Sequence, residues 1–340
     1  MSSNNRPSIQ DVARLAGVAV GTVSNVLNNP ERVRAETIDK VSRAISQLGF
    51  IRNDAARQLK AGKSQTLGLV VLDATNPFFG DLARGAEDQA MEKGLALILG
   101  SSGNDELREA KYLSLFEEQR MAGVLLSPAG MTASVVSGIR NRGLKTVLVD
   151  RMADVDLCCS VGVDDVAGGR TAVSHLLNLG RKRIAFVGGT LSTKQVADRL
   201  TGAKEAIAGV PGAQIRVFES SAMNVLSGRA VGEQILALEP EFRPDAIFAA
   251  NDLLAVGILQ AFVIKSEIRV PEDIAIIGYD DIDFAEAAIV PLSSIRQPAA
   301  TIGATAVELL LDEIENPTEH VHRQVMYQPE LVVRTSSKLT

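Results

Sequence analysis

The chain has no tryptophan, and aromatic residues make up only 4% of its 340 positions. Each Phe in a polar setting therefore stands out. Its two cysteines, Cys158 and Cys159, are adjacent. That is neither a C-x-x-C pair nor a disulfide framework, so a stapled secreted scaffold is excluded, and the pair reads as core in a reducing compartment. There are three histidines, His175, His320 and His322. None stands at a predicted strand end beside a Ser or Cys nucleophile, and two neighbouring histidines do not make a closed metal site. His320 and His322 read as solvated surface. Gly188-Gly189 and Thr190–Lys194 lack the GxxxxGK[ST] spacing of a nucleotide loop. The acid pairs Asp164-Asp165 and Asp280-Asp281 show no spaced acid/base geometry of a glycosidase. No catalytic residue, metal or cofactor is expected. No apolar run approaches the ~20 residues that span a bilayer. MSSNNRPS lacks the apolar core of a signal peptide, so the expectation is a cytoplasmic protein without a membrane partner.

What is present is a 46% hydrophobic chain long enough for two or three domains. Its net charge of −6 is uneven: residues 1–63 hold ten Lys/Arg against five Asp/Glu, and the remainder 25 against 36. A basic head on an acidic body suits a chain that places only its head on a polyanion.

Ser8–Asn29 reads as two short helices joined at Gly17. Ile9, Val12, Ala13 and Leu15-Ala16 give the first an apolar face at helical spacing, and Val23, Val26 and Leu27 do so for the second. Gly17 suits a sharp turn through positive φ. The outer face of the second helix carries Gly21, Thr22, Ser24, Asn25 and Asn28, short groups that let a helix sit deep in a DNA major groove. A third helix is expected over about 35–48, followed by a short segment at Asn53–Leu59.

The words IQDVARLAGV, GTVSNVLN, LGF and NDAARQLKAGKS occur in that order within Pro7–Lys63. In this order and spacing they resemble the head of the lactose-repressor/galactose-repressor family of bacterial transcription regulators. The resemblance implies base-reading positions at Val20, Gly21 and Asn25. Val20 would meet a thymine methyl, and Asn25 would pair with adenine. Ser8, Thr22, Ser24 and Asn28 would join the DNA-facing set, chiefly at phosphates. It also implies a hinge helix at Asn53–Leu59. There Ala55 and Ala56 would let two copies pack, Arg57 would neutralise phosphate, and Leu59 would wedge into the minor groove. The family usually has Ser at the positions of Ala19 and Arg34, where a helix cap is typically worth ~1 kcal/mol. A head marginal without DNA is expected.

From Thr66 the texture alternates short apolar strands with helix-length segments. The strands read at 67–73, 95–101, 123–128 and 146–150, then at 183–189, 215–220, 246–252 and 274–281. That is the pattern of parallel sheets covered on both faces. Segments 292–298 and 325–335 would return the chain between lobes. The expected fold is an N-terminal all-α helix-turn-helix headpiece plus an α/β periplasmic-binding-protein-like body of two doubly wound parallel-sheet lobes. Expected boundaries are 1–52 for the head and 53–64 for hinge and linker. Residues 65–340 would form the body, with an N-lobe of about 65–161 plus 293–323 and a C-lobe of about 162–290 plus 324–336.

Ligands of open α/β sheets bind outside the carboxyl ends of the strands. Those ends carry Asn76, Phe78, Phe79, Asp150, Arg151, Arg199 in a helix opening at Asp198, Asn251, Asp280 and, in a return segment, Gln297. Arg donors opposite Asp acceptors suit hydroxyls, which both donate and accept. The set is similar to that of the periplasmic ribose-binding proteins, with Met223 where an aromatic platform is usual. The expected partners are pseudo-palindromic operator DNA, a second copy of the chain, and a ribose-like sugar or cyclic polyol such as inositol. The alternatives are a catabolite-control regulator with a protein co-effector and a cytosolic sugar-binding protein.

Overall fold

The computed structural model describes residues 7–50, 64–130, 133–265 and 267–338. The chain divides into two units, Met1–Lys63 and Ser64–Thr340. The hinge residues Ala56, Arg57 and Leu59 lie outside the described residues.

The head has helices α1 (Ile9–Ala16), α2 (Val20–Asn28) and α3 (Ala35–Leu48) around Val12, Ala13, Val23, Val26, Val41 and Ala44. Ser8 starts α1 with a capping box: its hydroxyl accepts from Asp11 N, while the Asp11 carboxylate accepts from Ser8 N at 2.9 Å. Gly17 ends α1 at φ +67°, where a side chain would be strained. Leu15, expected on the apolar face, is 44% exposed, because Ile9, Val12, Ala13 and Ala16 already complete the inward stripe. Neither Ala19 nor Arg34 supplies a side-chain cap to α2 or α3.

The body holds two six-stranded sheets. The first contains β1 (Thr66–Val71), β2 (Ala96–Ser101), β3 (Gly123–Leu126), β4 (Lys145–Val149), β5 (Ser160–Val163) and β11 (Gln324–Tyr327), ordered β11-β5-β4-β3-β1-β2 and parallel throughout. The second contains β6 (Arg183–Gly188), β7 (Gln214–Glu219), β8 (Ala246–Ala249), β9 (Ala275–Asp280), β10 (Ser293–Arg296) and β12 (Glu330–Val332). Its order is β12-β10-β9-β8-β6-β7, with β12 antiparallel to β10. Helices α4 (Pro77–Glu92), α5 (Glu106–Glu118), α6 (Ala133–Asn141) and α12 (Ala299–Glu315) belong to the first lobe. Helices α7 (Asp165–Asn178), α8 (Lys194–Ile207), α9 (Val225–Leu236), α10 (Asp252–Lys265) and α11 (Asp283–Ala287) belong to the second.

Two expected lobe boundaries are corrected. Residues 293–296 belong to the second sheet, since β10 runs parallel to β9 with Ser294 opposite Gly278, and the chain crosses only after Gln297. Residues 324–327 belong to the first sheet, paired with β5. The crossings therefore fall after β5, after β10 and between β11 and β12. Cover on both faces also fails at β2, where Ile98 and Leu99 are 46% and 44% exposed. They are consecutive residues on opposite faces, so this edge strand is half open on both sides even with α4 and α5 packed against it.

The α2 start generates a prediction. Ala19→Ser should stabilise the head by about 1 kcal/mol by accepting from a first-turn N–H of α2. Amide exchange of the isolated α2 protons would report slower opening, and an unchanged rate would mean that those donors already have partners.

Candidate functional site

On the head, α2 turns Val20, Gly21 and Asn25 outward. Val20 is 43% exposed, and a Cβ placed on Gly21 would meet nothing within 4 Å. Thr22 and Ser24 are half-buried. The Asn28 amide donates to the Ser24 carbonyl at 2.7 Å and to its hydroxyl at 3.2 Å, so these two side chains hold each other along the helix. Ser8 is exposed while capping α1. The outward face is thus small, polar and lightly contoured.

In the body, a cavity of about 430 Å³ opens where the strands of both sheets end, within the usual range of small-molecule sites, about 300–1,000 Å³. Asn76 caps α4 through Phe78 N and reaches across the lobes to donate to Asp280 Oδ2 at 3.1 Å. Phe78 and Phe79 follow, edge to face with centroids 5.1 Å apart. From the second lobe, Gln195 Nε2 donates to the Asp150 carbonyl at 2.7 Å and to its carboxylate at 2.9 Å. Asn104 Nδ2 donates to the Thr193 hydroxyl at 3.3 Å.

The cavity floor is organised around one buried cation. Arg199 Nε donates to Asp165 Oδ1 at 2.8 Å, and Nη1 donates to the Ala250 carbonyl at 2.6 Å. Its guanidinium carbon lies 3.6 Å from the Tyr279 ring centre, and Asp280 is 3.9 Å away. Burial alone would pull the guanidinium pKa down, but the Asp165, Asp280 and Asp150 carboxylates raise it, so Arg199 stays charged. Burial pushes Asp280 up to about 6 against the pull of Arg199. Burial and repulsion from Asp165 push Asp150 up to about 8. At neutral pH Asp150 is therefore mostly a neutral acid, able to donate as well as accept. Asp150 and Asp280 have φ of +57° and +105°. Strained backbone of this kind persists where surrounding contacts over-determine it and is common at ligand clamps.

Eight of the ten strand-end candidates line this cavity: Asn76, Phe78, Phe79, Asp150, Arg199, Met223, Asn251 and Asp280. Two do not. Arg151 turns away to donate to the Gly130 carbonyl at 2.9 Å, because the left-handed turn at Asp150 sends successive side chains to different sides. Gln297 acts one step back, donating to Asp280 Oδ1 at 2.8 Å. Asn251 is largely committed to the fold, donating to the Met223 carbonyl and accepting from Leu254 N. Met223 folds its sulfur onto Gly189 N at 3.0 Å. The helix carrying Arg199 opens at Lys194, not at Asp198, so Arg199 sits in its second turn. Sequence reading missed Gln195, Asp165 and Tyr279. Gln195 lies four residues before Arg199 on the same helix face, a spacing that would have pointed to it.

Comparison with known proteins follows this division. Residues 8–53 match bacterial regulatory proteins, lacI family, and residues 173–337 match the periplasmic binding protein-like domain. The chain is 32% identical over 334 residues to the HTH-type transcriptional repressor PurR of Vibrio atlanticus (strain LGP32), covering 97% of this chain and 98% of that one. A solved transcriptional regulator CelR–cellobiose complex is 30% identical with a TM-score of 0.69, covering 97% of this chain and all of that one. The lac repressor dimer bound to operator and the anti-inducer ONPF is 25% identical with a TM-score of 0.81, covering 98% and 99%.

The shifted carboxylates generate a prediction. A raised folded-state pKa means the folded chain holds its proton more tightly, so the Asp150 contribution is intact below the unfolded value near 3.8 and is lost as pH rises toward about 8. Asp150→Asn removes that loss and can still accept from Gln195. Between about pH 5 and pH 8 the melting-temperature gap should open in the variant's favour by several degrees, at roughly 2–4 °C per kcal/mol. A constant gap would mean that Asp150 ionises freely in solvent.

Proposed function

The chain belongs to the lacI family of bacterial regulatory proteins, and from that premise we propose a cytoplasmic transcriptional repressor that binds a pseudo-palindromic operator as a homodimer and is switched by a neutral sugar or cyclic polyol between its lobes. The observation that carries the effector class is the pair of interlobe bonds, Asn76 to Asp280 and Gln195 to Asp150. Each is an exchange that a ligand hydroxyl can enter, donating to one group while accepting from the other. Arg199 is the one cation lining the cavity among the described residues, and Asp165 already faces it. An anionic phosphate would meet the Asp73 and Asp280 carboxylates without a free cation, so a neutral ligand fits better. Phe78 and Phe79 offer apolar surface to ring C–H groups. The named relatives support the same reading: one is a repressor by name and one is a cellobiose complex.

Switching follows from lobe closure. A ligand that binds the closed form better shifts the equilibrium by that difference in affinity. Hinge motion at the three crossings then moves the two β1 starts of a dimer relative to each other, and operator affinity changes with that movement. Operator and effector affinities change by the same factor. The half-open β2 edge, with Ile98 and Leu99 partly exposed, packs against α4 and α5, which themselves expose Met91 and Leu115, and this supports pairing with a second copy.

A thermal-shift panel of pentoses, hexoses, disaccharides, inositols, their phosphates and nucleobases tests the effector. A shift with a neutral polyol is expected, and that compound should change operator affinity in a titration. A response to nucleobases or phosphates alone, or to none of these, would overturn the polyol reading, the last in favour of a protein co-effector. Asp280→Asn should weaken the active compound about 10- to 100-fold, as loss of a charge-assisted hydrogen bond of about 1.5–3 kcal/mol requires. Leu59→Ala should weaken operator binding far more than binding to random DNA, and equal losses would count against a minor-groove wedge.

A further inference from the structure

The cleft occupies the carboxyl ends of the first sheet. At the opposite end, where β4, β5 and β11 begin, the fold gathers a second polar cluster. His320 and His322, expected as solvated surface, have side chains only 2% and 22% exposed. Cys159 precedes β5, Asp312 and Glu313 end α12, and Arg140 ends α6.

Hydrogen bonding sets both imidazoles. His320 Nδ1 lies 2.8 Å from Asp312 Oδ2, and His322 Nδ1 lies 2.9 Å from the Val155 carbonyl. Both partners only accept, so each Nδ1 carries the hydrogen and each Nε2 presents its lone pair inward. This is how outer partners orient metal-binding histidines. His320 Nε2 faces Cys159 Sγ at 3.2 Å, and His322 Nε2 is 3.8 Å from Glu313 Oε1. Ligand atoms of Glu313, His320 and His322 all lie within 4.8 Å of one another. Zinc bonds of about 2.0 Å to nitrogen and about 2.3 Å to sulfur give tetrahedral edges of about 3.3–3.6 Å, so Glu313, His320 and His322 need shifts of about an ångström, while Cys159, held near the group by its contact with His320 and standing outside that 4.8 Å set, must move further to close the fourth position.

A cation already uses these acceptors. Arg140 Nη2 donates to Glu313 Oε1 at 2.7 Å and to His322 Nε2 at 2.9 Å. Lys145 Nζ lies 3.4 Å from Glu313. Arg140, 18% exposed, also donates through Nη1 to Glu313 Oε2 at 3.2 Å and to the Thr146 carbonyl at 3.3 Å, so an ion must take over its place on Glu313 and His322, while Lys145 is 37% exposed.

We propose that His320, His322, Glu313 and Cys159 form a binding site for a divalent zinc-class metal ion, which enters by displacing the Arg140 guanidinium. Mixed nitrogen, sulfur and carboxylate donors suit zinc or cobalt better than calcium or magnesium. The Cys159 proton leaves to solvent as the thiolate binds, and the Asp312 and Val155 contacts keep both rings aimed at the ion.

The test uses the full-length, tag-free chain after chelation, titrated with zinc chloride by calorimetry and with cobalt(II) by absorption spectroscopy. One saturable site per chain is expected. Cobalt should give a tetrahedral visible spectrum with a thiolate charge-transfer band that Cys159→Ser removes. His320→Gln and His322→Gln should each weaken zinc by at least the loss seen for outer-sphere partners, about 10- to 100-fold. Arg140→Met should strengthen it, because the competing cation is gone. Circular dichroism checks that each variant folds, and if one does not, the wild-type cobalt spectrum and the Arg140→Met direction still decide. Absence of a saturable site, zinc affinity unchanged in both histidine variants, or weaker binding in folded Arg140→Met would overturn the proposal.

Discussion

The buried Arg199 guanidinium is the charge on which the body's ligand end depends. A cation this far from water needs carboxylates, and carboxylates this far from water need a cation. Asp165, Asp280 and Asp150 gather around it from α7, from the end of β9 and from the end of β4. Tyr279 closes the remaining face of the guanidinium. The approach of α7 to α8 makes the Asp165 contact possible. A Cβ on Gly169 would stand 2.0 Å from the Arg199 carbonyl oxygen, so only glycine lets these helices touch at that point. With fewer positive charges than acids, the group keeps a proton on Asp150 and leaves Asp280 near its midpoint at about pH 6. Polar exchange across the lobes is thereby held ready without a fixed excess of charge.

The parallel first sheet separates two kinds of chemistry by its direction. All carboxyl ends point to the cleft, so loops rich in Asn and Asp collect there. All amino ends point the other way, where the chain enters β1 at Thr66 and where Cys159, His320 and His322 precede β5 and β11. Because β11 joins this sheet while β12 joins the other, the histidine cluster and one of the crossings lie on a single short stretch of chain.

Periodicity alone was enough for the three head helices and for nearly every body strand, because each is a local consequence of spacing between apolar residues. The rule that ligands gather at strand ends was enough to bring Asn76, Asp150, Arg199 and Asp280 to one cavity. It failed at Arg151, because a left-handed residue just before it redirects the side chain, and φ of a single Asp is set by its partners. It failed to include Asp165 and Tyr279, because their role is to face Arg199, and that proximity arises only when α7, α8 and β9 pack. The lobe boundaries near 293 and 324 moved for the same kind of reason: a four-residue strand has no preference between two sheets until hydrogen-bonded neighbours are in place.

By itself, the sequence determined the helix-turn-helix head, the alternating strand-and-helix body, the uneven charge and the polar strand ends. All of these are written in residues close together along the chain. Tertiary structure alone decided which acids share Arg199, where the chain crosses between lobes, and that His320 and His322 are enclosed beside Cys159. Those features join residues up to about half the chain apart, and the desolvation that gives them their chemistry exists only once the intervening helices have excluded water.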